Sequence, residues 1–351
     1  MTSIRKPRVL HPALPRNALG LTRRDYEGVM STLCAGCGHD SITAAIIEAF
    51  FELEIAPHRV AKLSGIGCSA KTAAYFLAEA HGFNGVHGRM PAVATGAAAA
   101  NRDLINIGIS GDGDSLSIGL GQLCHAIRRN VDLLYLIENN GVYGLTKGQF
   151  SASADIGTKT KKGDVNRHEP IDPVLLGLSL GASFVARGFS GDKAQLVPIL
   201  KAGLKHKGFA LVDVISPCVT FNDHEASTKS YAYTREHNAP VVFTDLVPPR
   251  DEITTDYEPG TVQKVALHDG SVIRLRKIAD DYDPTDRDRV YDYVRARQEA
   301  GEIVTGLLYV SPEAEEMHEL LGTVDEPLVG IPFAELCPGG AALEKLQAEF
   351  R

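Results

Sequence analysis

Two acidic groups sit in one glycine turn, Gly111-Asp112-Gly113-Asp114, and two asparagines enter a second, Asn139-Asn140-Gly141. Each turn closes an apolar run, LINIGIS before the first and VDLLYLIE before the second. A divalent cation such as Mg²⁺ takes hard oxygens at octahedral positions and commonly shares its shell with substrate phosphates. The Asp112 carboxylate, the Asn140 amide oxygen and a backbone carbonyl just after Asn140 supply half an octahedron, which two diphosphate oxygens and a water would complete. Gly111 and Gly113 let backbone approach without a Cβ in the way. A helix beginning near Leu116 or Ser117 aims free N–H groups at the same spot and favours anions there. An Asx-rich turn that only caps a helix is the bland alternative for the first loop. The second loop, at this separation, weighs against it.

The cysteines pose a second question. Cys34 and Cys37 are separated by two residues, while Cys68 lies in GIGCS and Cys218 in ISPCVT. A CxxC pair alone fits a redox dithiol or half a zinc site. Cys68 and Cys218 each follow an expected strand and Cys34 and Cys37 precede an expected helix, so the four can converge on one sheet edge. Four thiolates suit zinc or a [4Fe–4S] cluster almost equally by geometry. Cys124 falls on the apolar side of its helix with Leu120, Leu123 and Ile127 and reads as a small core residue; Cys337 reads as incidental. His87 and Arg89, in VHGRMP, suit either a surface turn or a grip on diphosphate or a substrate carboxylate. Lys147, directly after YGLT, is a cation for a phosphate or for the distal carboxylate of a dicarboxylic acid.

These residues need a scaffold. Helical apolar spacing over residues 37–53 is followed by a strand-like HRVAKLS, a helix AKTAAYFLAEA and an alanine-rich helix. Strands at 103–110 and 131–137 flank a helix at about 116–129. Beyond Pro170 come a helix, the strand ASFVARG, the helix KAQLVPILKAGLKH and the strand GFALVDVIS. The strands are too apolar for one wet face, which argues a doubly wound, mostly parallel α/β sheet covered by helices on both sides. Ligands in such folds sit outside the carboxyl ends of the strands, where the Asp and Asn turns fall. TVQKVALHDGSVIRLRKI reads as a hairpin about Asp269-Gly270, and DPTDRDRVYDYVRARQEAG as a helix with a charged face. The expected organisation is an N-terminal arm (1–29) lying on a surface, its own or a partner's, an α/β domain (30–235), and a C-terminal extension (236–351) with the hairpin and helix. Residues 151–170 form a long aperiodic segment of the kind that often serves as a lid or docking surface.

The chain has 351 residues, 44% apolar and 23% charged, enough for a sizeable buried interior. Its formal net charge of −8 argues against wholesale nucleic-acid binding. No export signal or membrane span is read, so the cytoplasm is expected, where structural disulfides are rare.

GDGDSLSIGLGQLCHAIRRNVDLLYLIENNGVYGLTKGQFS resembles the thiamine-diphosphate motif and, more narrowly, the β subunits of 2-oxoacid:ferredoxin oxidoreductases. CAGCG, GIGCS and HGRMPAVATG fall where that family has their counterparts, so the resemblance spans most of the chain. It implies a thiamine-diphosphate-binding fold, with Asp112 and Asn140 ligating Mg²⁺ through their side chains and Val142 through its carbonyl. It implies that Asp114, Leu145 and Thr146 line the diphosphate and that Gly67, Cys68, His87, Gly111, Gly113 and Gly144 belong to the cofactor pocket, with Arg89 close by. It assigns Cys34, Cys37, Cys68 and Cys218 to a [4Fe–4S] cluster, although the usual tryptophan and proline at the first pair are replaced by Leu33 and Ala35. Iron also suits the chemistry, because zinc cannot accept an electron. Lys147 resembles the 2-oxoglutarate branch, where the pyruvate branch often has glycine. The implied activity is the coenzyme A-dependent oxidative decarboxylation of 2-oxoglutarate to succinyl-CoA and CO₂, with electrons passing to ferredoxin. The implied partner is an α subunit carrying the pyrimidine-binding domain and its glutamate, in an α₂β₂ heterotetramer. Lys159, Lys161 and Lys162 suit a solvated face, the acidic ferredoxin or coenzyme A phosphates. The rival readings are a non-oxidative thiamine-diphosphate decarboxylase or carboligase with structural zinc, and a non-catalytic cofactor-binding scaffold subunit.

Overall fold

The computed structural model describes residues 4, 6, 11–225, 227–240, 262–266, 272–276, 282–337 and 339–350. The periodic stretch near the N-terminus folds as helix α1 (Gly38–Glu52), with Cys37 as its extended N-cap. Then follow β1 (Val60–Ser64), α2 (Cys68–Tyr75), β2 (His81–Asn84), α3 (Met90–Ala100), β3 (Ile105–Gly111), α4 (Leu120–Arg128) and β4 (Leu133–Asn139). A small hairpin of β5 (Val142–Tyr143) and β6 (Gln149–Phe150) leads to α5 (Pro173–Leu180), β7 (Phe184–Phe189), α6 (Lys193–Lys205) and β8 (Phe209–Ile215). The remainder comprises α7 (Tyr231–His237), β9 (Asn238–Pro240), β10 (Val262–Ala266), β11 (Val272–Arg276), α8 (Arg287–Glu299), β12 (Ile303–Val310), α9 (Met317–Leu321), α10 (Phe333–Leu336) and α11 (Gly340–Ala348).

One sheet of eight strands runs in the order β2-β1-β3-β4-β8-β7-β12-β9. Its pairings from β2 through β7 are all parallel, and β12 closes antiparallel against β7. Every residue of β4 is buried, which follows from period-two geometry in a sheet covered on both faces. Leu134 and Leu136 point into the layer formed with Ile42, Ile46 and Phe50 of α1 and Leu196 and Leu200 of α6. Leu133, Tyr135 and Ile137 point into the opposite layer, with Met90 of α3, Leu123 of α4, Leu178 of α5 and Val290 of α8. Each such side chain contributes about 1.5–3 kcal/mol on full burial, so a one-residue slip that exchanged the faces would disrupt both layers. The doubly wound fold expected from the sequence is the one observed.

Several local readings change. Helix α2 stops at Tyr75 instead of continuing to residue 80, because Leu77 adopts a left-handed φ of 44°. The freed carbonyls are claimed from inside the sheet: Lys62 Nζ donates to the Phe76 oxygen at 2.7 Å and the Leu77 oxygen at 2.8 Å. Burial pushes this amine down to about 8. Lys62→Met would leave both carbonyls unsatisfied, and equilibrium denaturation is expected to register a loss of about 1–3 kcal/mol; an unchanged midpoint would remove Lys62 from this role. The helix expected from about residue 116 is preceded by a π-helical turn, Gly113–Ile118, with Asp112 as its N-cap. β12, which was not read as a strand, joins the main sheet beside β7. The hairpin strands β10 and β11 pair antiparallel as expected, while Asp269-Gly270 lies outside the described residues. Tyr26 of the N-terminal arm is fully buried in this chain's own core, and Gly28 N donates to the Tyr75 oxygen at 2.8 Å. The arm from Asn17 to Val29 therefore packs on its own chain. Among the described residues, no helix is long and apolar enough to cross a membrane.

Candidate functional site

β3 and β4 are hydrogen-bonded neighbours with Gly111 opposite Glu138, so Asp112 and Asn140 emerge side by side at the carboxyl edge of the sheet. The Asn140 N–H donates to Asp112 Oδ1 at 3.3 Å. Asp112 Oδ2 accepts from Ser153 Oγ at 2.8 Å and from Ser151 Oγ. Only 1% of Asp112 is exposed, and burial raises its pKa against the pull of the two hydroxyls and the backbone amide. Among the described residues no lysine or arginine pairs with it. A carboxylate desolvated among neutral donors is costly as an anion, and a bound cation is what would offset that cost. The Asn140 amide oxygen accepts from Val142 N at 3.0 Å, and its backbone carbonyl from Asn222 Nδ2 at 2.8 Å. Among the described residues no three His, Cys, Asp or Glu side chains are grouped to hold a metal ion unaided. A Mg²⁺ shell built on one carboxylate, one amide, a carbonyl and phosphate oxygens does not require such a trio.

Asp114 faces the other way from Asp112. Its Oδ1 accepts from Gly88 N at 2.7 Å and Ile66 N at 3.4 Å, and pairs with His87 Nδ1. Its Oδ2 accepts from Ser110 Oγ at 2.7 Å. A Cβ on Gly65 would lie 1.8 Å from that oxygen, so only glycine lets the loop after β1 close on it. Asp114 thus ties together the loops that carry Gly67 and His87. His87 packs edge-on against Tyr143 with ring centres 5.9 Å apart, and Tyr143 Oη donates to the Gly113 oxygen at 3.0 Å. Arg89 is the exposed N-cap of α3. Leu145, Thr146 and Lys147 are exposed on the turn after β5, where Thr146 Oγ1 donates to Gln149 Oε1 at 2.6 Å. Lys147 holds a φ of +79°, a left-handed conformation that costs a non-glycine residue about 1–2 kcal/mol.

The cysteines border the same edge. Gly67, at φ 129°, caps α2, whose first residue is Cys68. Cys37 caps α1, and Cys218 follows β8. The Cβ position of Gly144, in the turn after β5, is 3.4 Å from Cys68 Sγ and 3.7 Å from Cys218 Sγ. Thr220 Oγ1 donates to Cys34 Sγ at 3.6 Å. Burial pushes the Cys37 thiol up to about 12 and raises Cys68 and Cys218, with neighbouring cysteines adding to each shift. All six cysteines are free; Cys124 is half-buried on α4 and Cys337 exposed.

The sequence reading missed an inner layer of this site. Ser151 and Ser153 come from the aperiodic segment, and Ser153 also donates to Asn139 Oδ1 at 2.8 Å. His39 is buried, with Nδ1 2.6 Å from Ser216 Oγ and Nε2 3.5 Å from Asn140 Nδ2. Burial lowers its pKa to about 4, which keeps it neutral. Glu138 accepts from Thr72 Oγ1 at 3.1 Å, leaves Oε1 without a hydrogen bond, and is raised well above the carboxylate range by burial. The available signals were a glutamate ending an otherwise apolar strand and a histidine two residues after Cys37.

The profile described as "Thiamine pyrophosphate enzyme, C-terminal TPP binding domain" matches residues 65–214, which contain both strand-end loops. Similarity to the 2-oxoacid:ferredoxin oxidoreductase subunit beta of Saccharolobus solfataricus is 45% identity over 199 residues, 56% of this chain and 65% of that protein. The alignment therefore spans just under two thirds of that relative. The 2-oxoglutarate synthase subunit KorB of Methanocaldococcus jannaschii is 35% identical over 213 residues, 60% of this chain and 76% of its own. Among solved structures, the 2-oxoglutarate:ferredoxin oxidoreductase from Magnetococcus marinus with 2-oxoglutarate, coenzyme A and succinyl-CoA bound superposes with a TM-score of 0.70 at 30% identity. That match covers 90% of this chain and 94% of the other. Kinship sustained over nine tenths of the chain in three dimensions, and over three quarters of a sequence relative, goes beyond a shared fold: the chain belongs to the 2-oxoacid:ferredoxin oxidoreductase β-subunit family.

Proposed function

We propose that this chain is the thiamine-diphosphate-binding β subunit of a cytoplasmic 2-oxoglutarate:ferredoxin oxidoreductase. Together with an α subunit, in an α₂β₂ assembly, it would convert 2-oxoglutarate and coenzyme A to succinyl-CoA, CO₂ and a proton. Two electrons leave, one to each of two ferredoxins. The observation that carries the proposal is adjacency. Gly144 belongs to the turn that follows Asn140, and its missing Cβ faces the sulfurs of both Cys68 and Cys218. A cofactor held at the strand ends and a redox centre held by the cysteines would then share one wall.

Asp112 and Asn140, with the Val142 carbonyl, would hold Mg²⁺, and the burial of the Asp112 carboxylate among neutral donors with no paired cation among the described residues supports that assignment. Asp114 and His87 keep the neighbouring loops in register, with Gly111, Gly113, Leu145 and Thr146 against the diphosphate. Arg89 would meet an anionic group at the rim. When bound, thiamine diphosphate supplies an electron sink for the pair released as CO₂ departs. Among the described residues Cys34, Cys37, Cys68 and Cys218 are not grouped as a preformed metal cage, but Cys68 and Cys218 Sγ both lie within 3.7 Å of the Gly144 Cβ position. The four would ligate a [4Fe–4S] centre by closing on it, and that centre would supply one-electron acceptance that zinc lacks. The pyrimidine-facing glutamate is assigned to the α subunit.

Lys147 is the specificity residue in this reading. A strained backbone retained at a site edge is best understood through function, and its ammonium suits a distal carboxylate. Lys147→Gly should relax the turn and stabilise the protein by about 1 kcal/mol. Loss of a charge-assisted contact should raise KM for 2-oxoglutarate about 10-fold or more, with a smaller effect on pyruvate. Equal changes for both substrates would argue against distal-carboxylate recognition.

The overall test is anaerobic purification with the co-expressed α subunit. Iron, sulfide and thiamine are quantified, and a 2-oxoacid panel is assayed with an artificial one-electron acceptor. Zinc without iron would favour a non-oxidative enzyme, and absence of thiamine after supplementation would favour a scaffold.

A further inference from the structure

We propose that Asp213, anchored by Arg187, is a positioning residue for the strand-end metal site. By fixing the Asn139 amide, it lets Ser153 turn its proton away from Asp112 when a divalent cation binds. The inference rests on the Mg²⁺ role assigned above to Asp112 and Asn140, and adds what frees that carboxylate for the metal.

A continuous buried row carries it. Arg187 of β7, Asp213 of β8 and Asn139 of β4 stand on three neighbouring strands, with Arg187 opposite Asp213 in the register. Period-two alternation puts them on the sheet face of Val185, Leu211 and Ile137. Arg187 Nη2 donates to Asp172 Oδ2 at 2.5 Å and its Nε to Asp213 Oδ2 at 2.8 Å. Asn139 Nδ2 donates to Asp213 Oδ1 at 3.0 Å. Ser153 Oγ then lies 2.8 Å from Asn139 Oδ1 and 2.8 Å from Asp112 Oδ2. Asn139, Arg187 and Asp213 are all buried.

Polarity runs one way along this row. A guanidinium only donates and a carboxylate only accepts. Burial raises the Asp213 pKa, and the Arg187 charge opposes that rise. Asp213 therefore takes the NH₂ end of Asn139, which leaves the amide oxygen facing Ser153. A hydroxyl carries one proton, and here it has a choice of two acceptors. Without a cation the proton serves Asp112; with one, it turns to Asn139 and stays satisfied. Were the Asn139 amide reversed, its NH₂ would face Ser153. The proton would then compete with the cation for Asp112, with the longer contact to Ser151 Oγ, 3.1 Å away, as its remaining outlet among the described residues. Buried ion pairs add little stability over well-packed apolar residues. Orientation is what this ionic row supplies and apolar side chains cannot.

Asp213→Asn probes the row because it keeps the shape. Its amide oxygen should go to the Arg187 cation and its NH₂ to Asn139, which reverses the Asn139 amide. Mn²⁺, standing in for Mg²⁺, is titrated into the complete αβ complex with thiamine diphosphate and no 2-oxoacid. Binding is read from loss of the free-ion EPR signal. Asp213→Asn should weaken Mn²⁺ binding about 10-fold or more. In a Ser153→Ala background the same substitution should change affinity by less than about 2-fold, because the hydroxyl that transmits it is gone. Ser153→Ala alone should bind Mn²⁺ at least as tightly as wild type. Equal weakening in both backgrounds would mark a general loss of structure and overturn the proposal, as would unchanged affinity in Asp213→Asn. Should Asp213→Asn fail to assemble with the α subunit, Ser153→Ala decides, and weakening by about 10-fold there would overturn the proposal. A wild-type complex that holds thiamine diphosphate without any saturable Mn²⁺ site would reject the metal reading itself, which tells the two failures apart.

Discussion

Asp112→Asn is expected to abolish Mg²⁺-dependent retention of thiamine diphosphate without unfolding the protein. The carboxylate is buried and satisfied by Ser151, Ser153 and the Asn140 amide, with its pKa raised by desolvation. Asparagine keeps the shape and one acceptor oxygen but removes the charge, so the metal-free variant should match or exceed wild type in thermal stability. Ligand addition should separate them. Wild type at 100-fold excess over Kd gains about 2.7 kcal/mol through binding linkage. Loss of an outer-sphere partner alone weakens a metal site about 10–100-fold, and loss of a direct anionic ligand should exceed that range. Thermal melts with and without Mg²⁺ and cofactor, joined to calorimetric titration of the αβ complex, measure both effects. A variant that keeps the full ligand-induced shift would eliminate Asp112 as a ligand.

Cys218→Ser should strip the complex of nearly all its iron and of reduction-sensitive brown absorption, whereas Cys124→Ser should leave both intact. The contrast is spatial. Cys68 Sγ and Cys218 Sγ lie 3.4 Å and 3.7 Å from the Cβ position of Gly144, whereas Cys124 sits on α4, whose buried residues Leu123, Ala126 and Ile127 pack in the helix layer with α3 and α5. A protonation argument accompanies the substitution. Burial raises the Cys37 thiol to about 12 and shifts Cys68 and Cys218 upward, so these groups are thiols at neutral pH before metal binds. Ligation requires thiolates and releases their protons. Cluster reconstitution into the apoprotein should therefore accelerate as pH rises, with measurable proton release that the Cys218→Ser variant lacks. Full iron content in that variant would reject the assignment.

The fold was legible because its signals are local. β4 and β8 are buried along their whole length, and a mostly apolar run between turns, LLYLI in one and FALV in the other, identifies that kind of strand. β2 was invisible for the opposite reason: its four residues, His81–Asn84, are all exposed and carry no alternation. β12 carries an apolar run, GLLYV, but followed a charged helix and was not assigned to the sheet; its place beside β7 comes from tertiary pairing. Helix α2 was read too long because nothing in FLAEA announces that Lys62 will capture its terminal carbonyls.

From residue types and their order alone came the candidate donor atoms: one carboxylate and one amide at the ends of two buried strands, and four sulfurs on three segments. Such information survives in one dimension because strand burial and glycine turns are set by near neighbours. Which side chain each group faces was decided only by the folded chain. Asp112 and Asp114 are two residues apart and chemically identical, yet one lies beside Ser151 and Asn140 and the other is bound to His87 and Gly88. His39 meets Ser216, 177 positions away. Contacts of that separation form when whole layers close against the sheet, and partner choice then follows from the space each layer leaves.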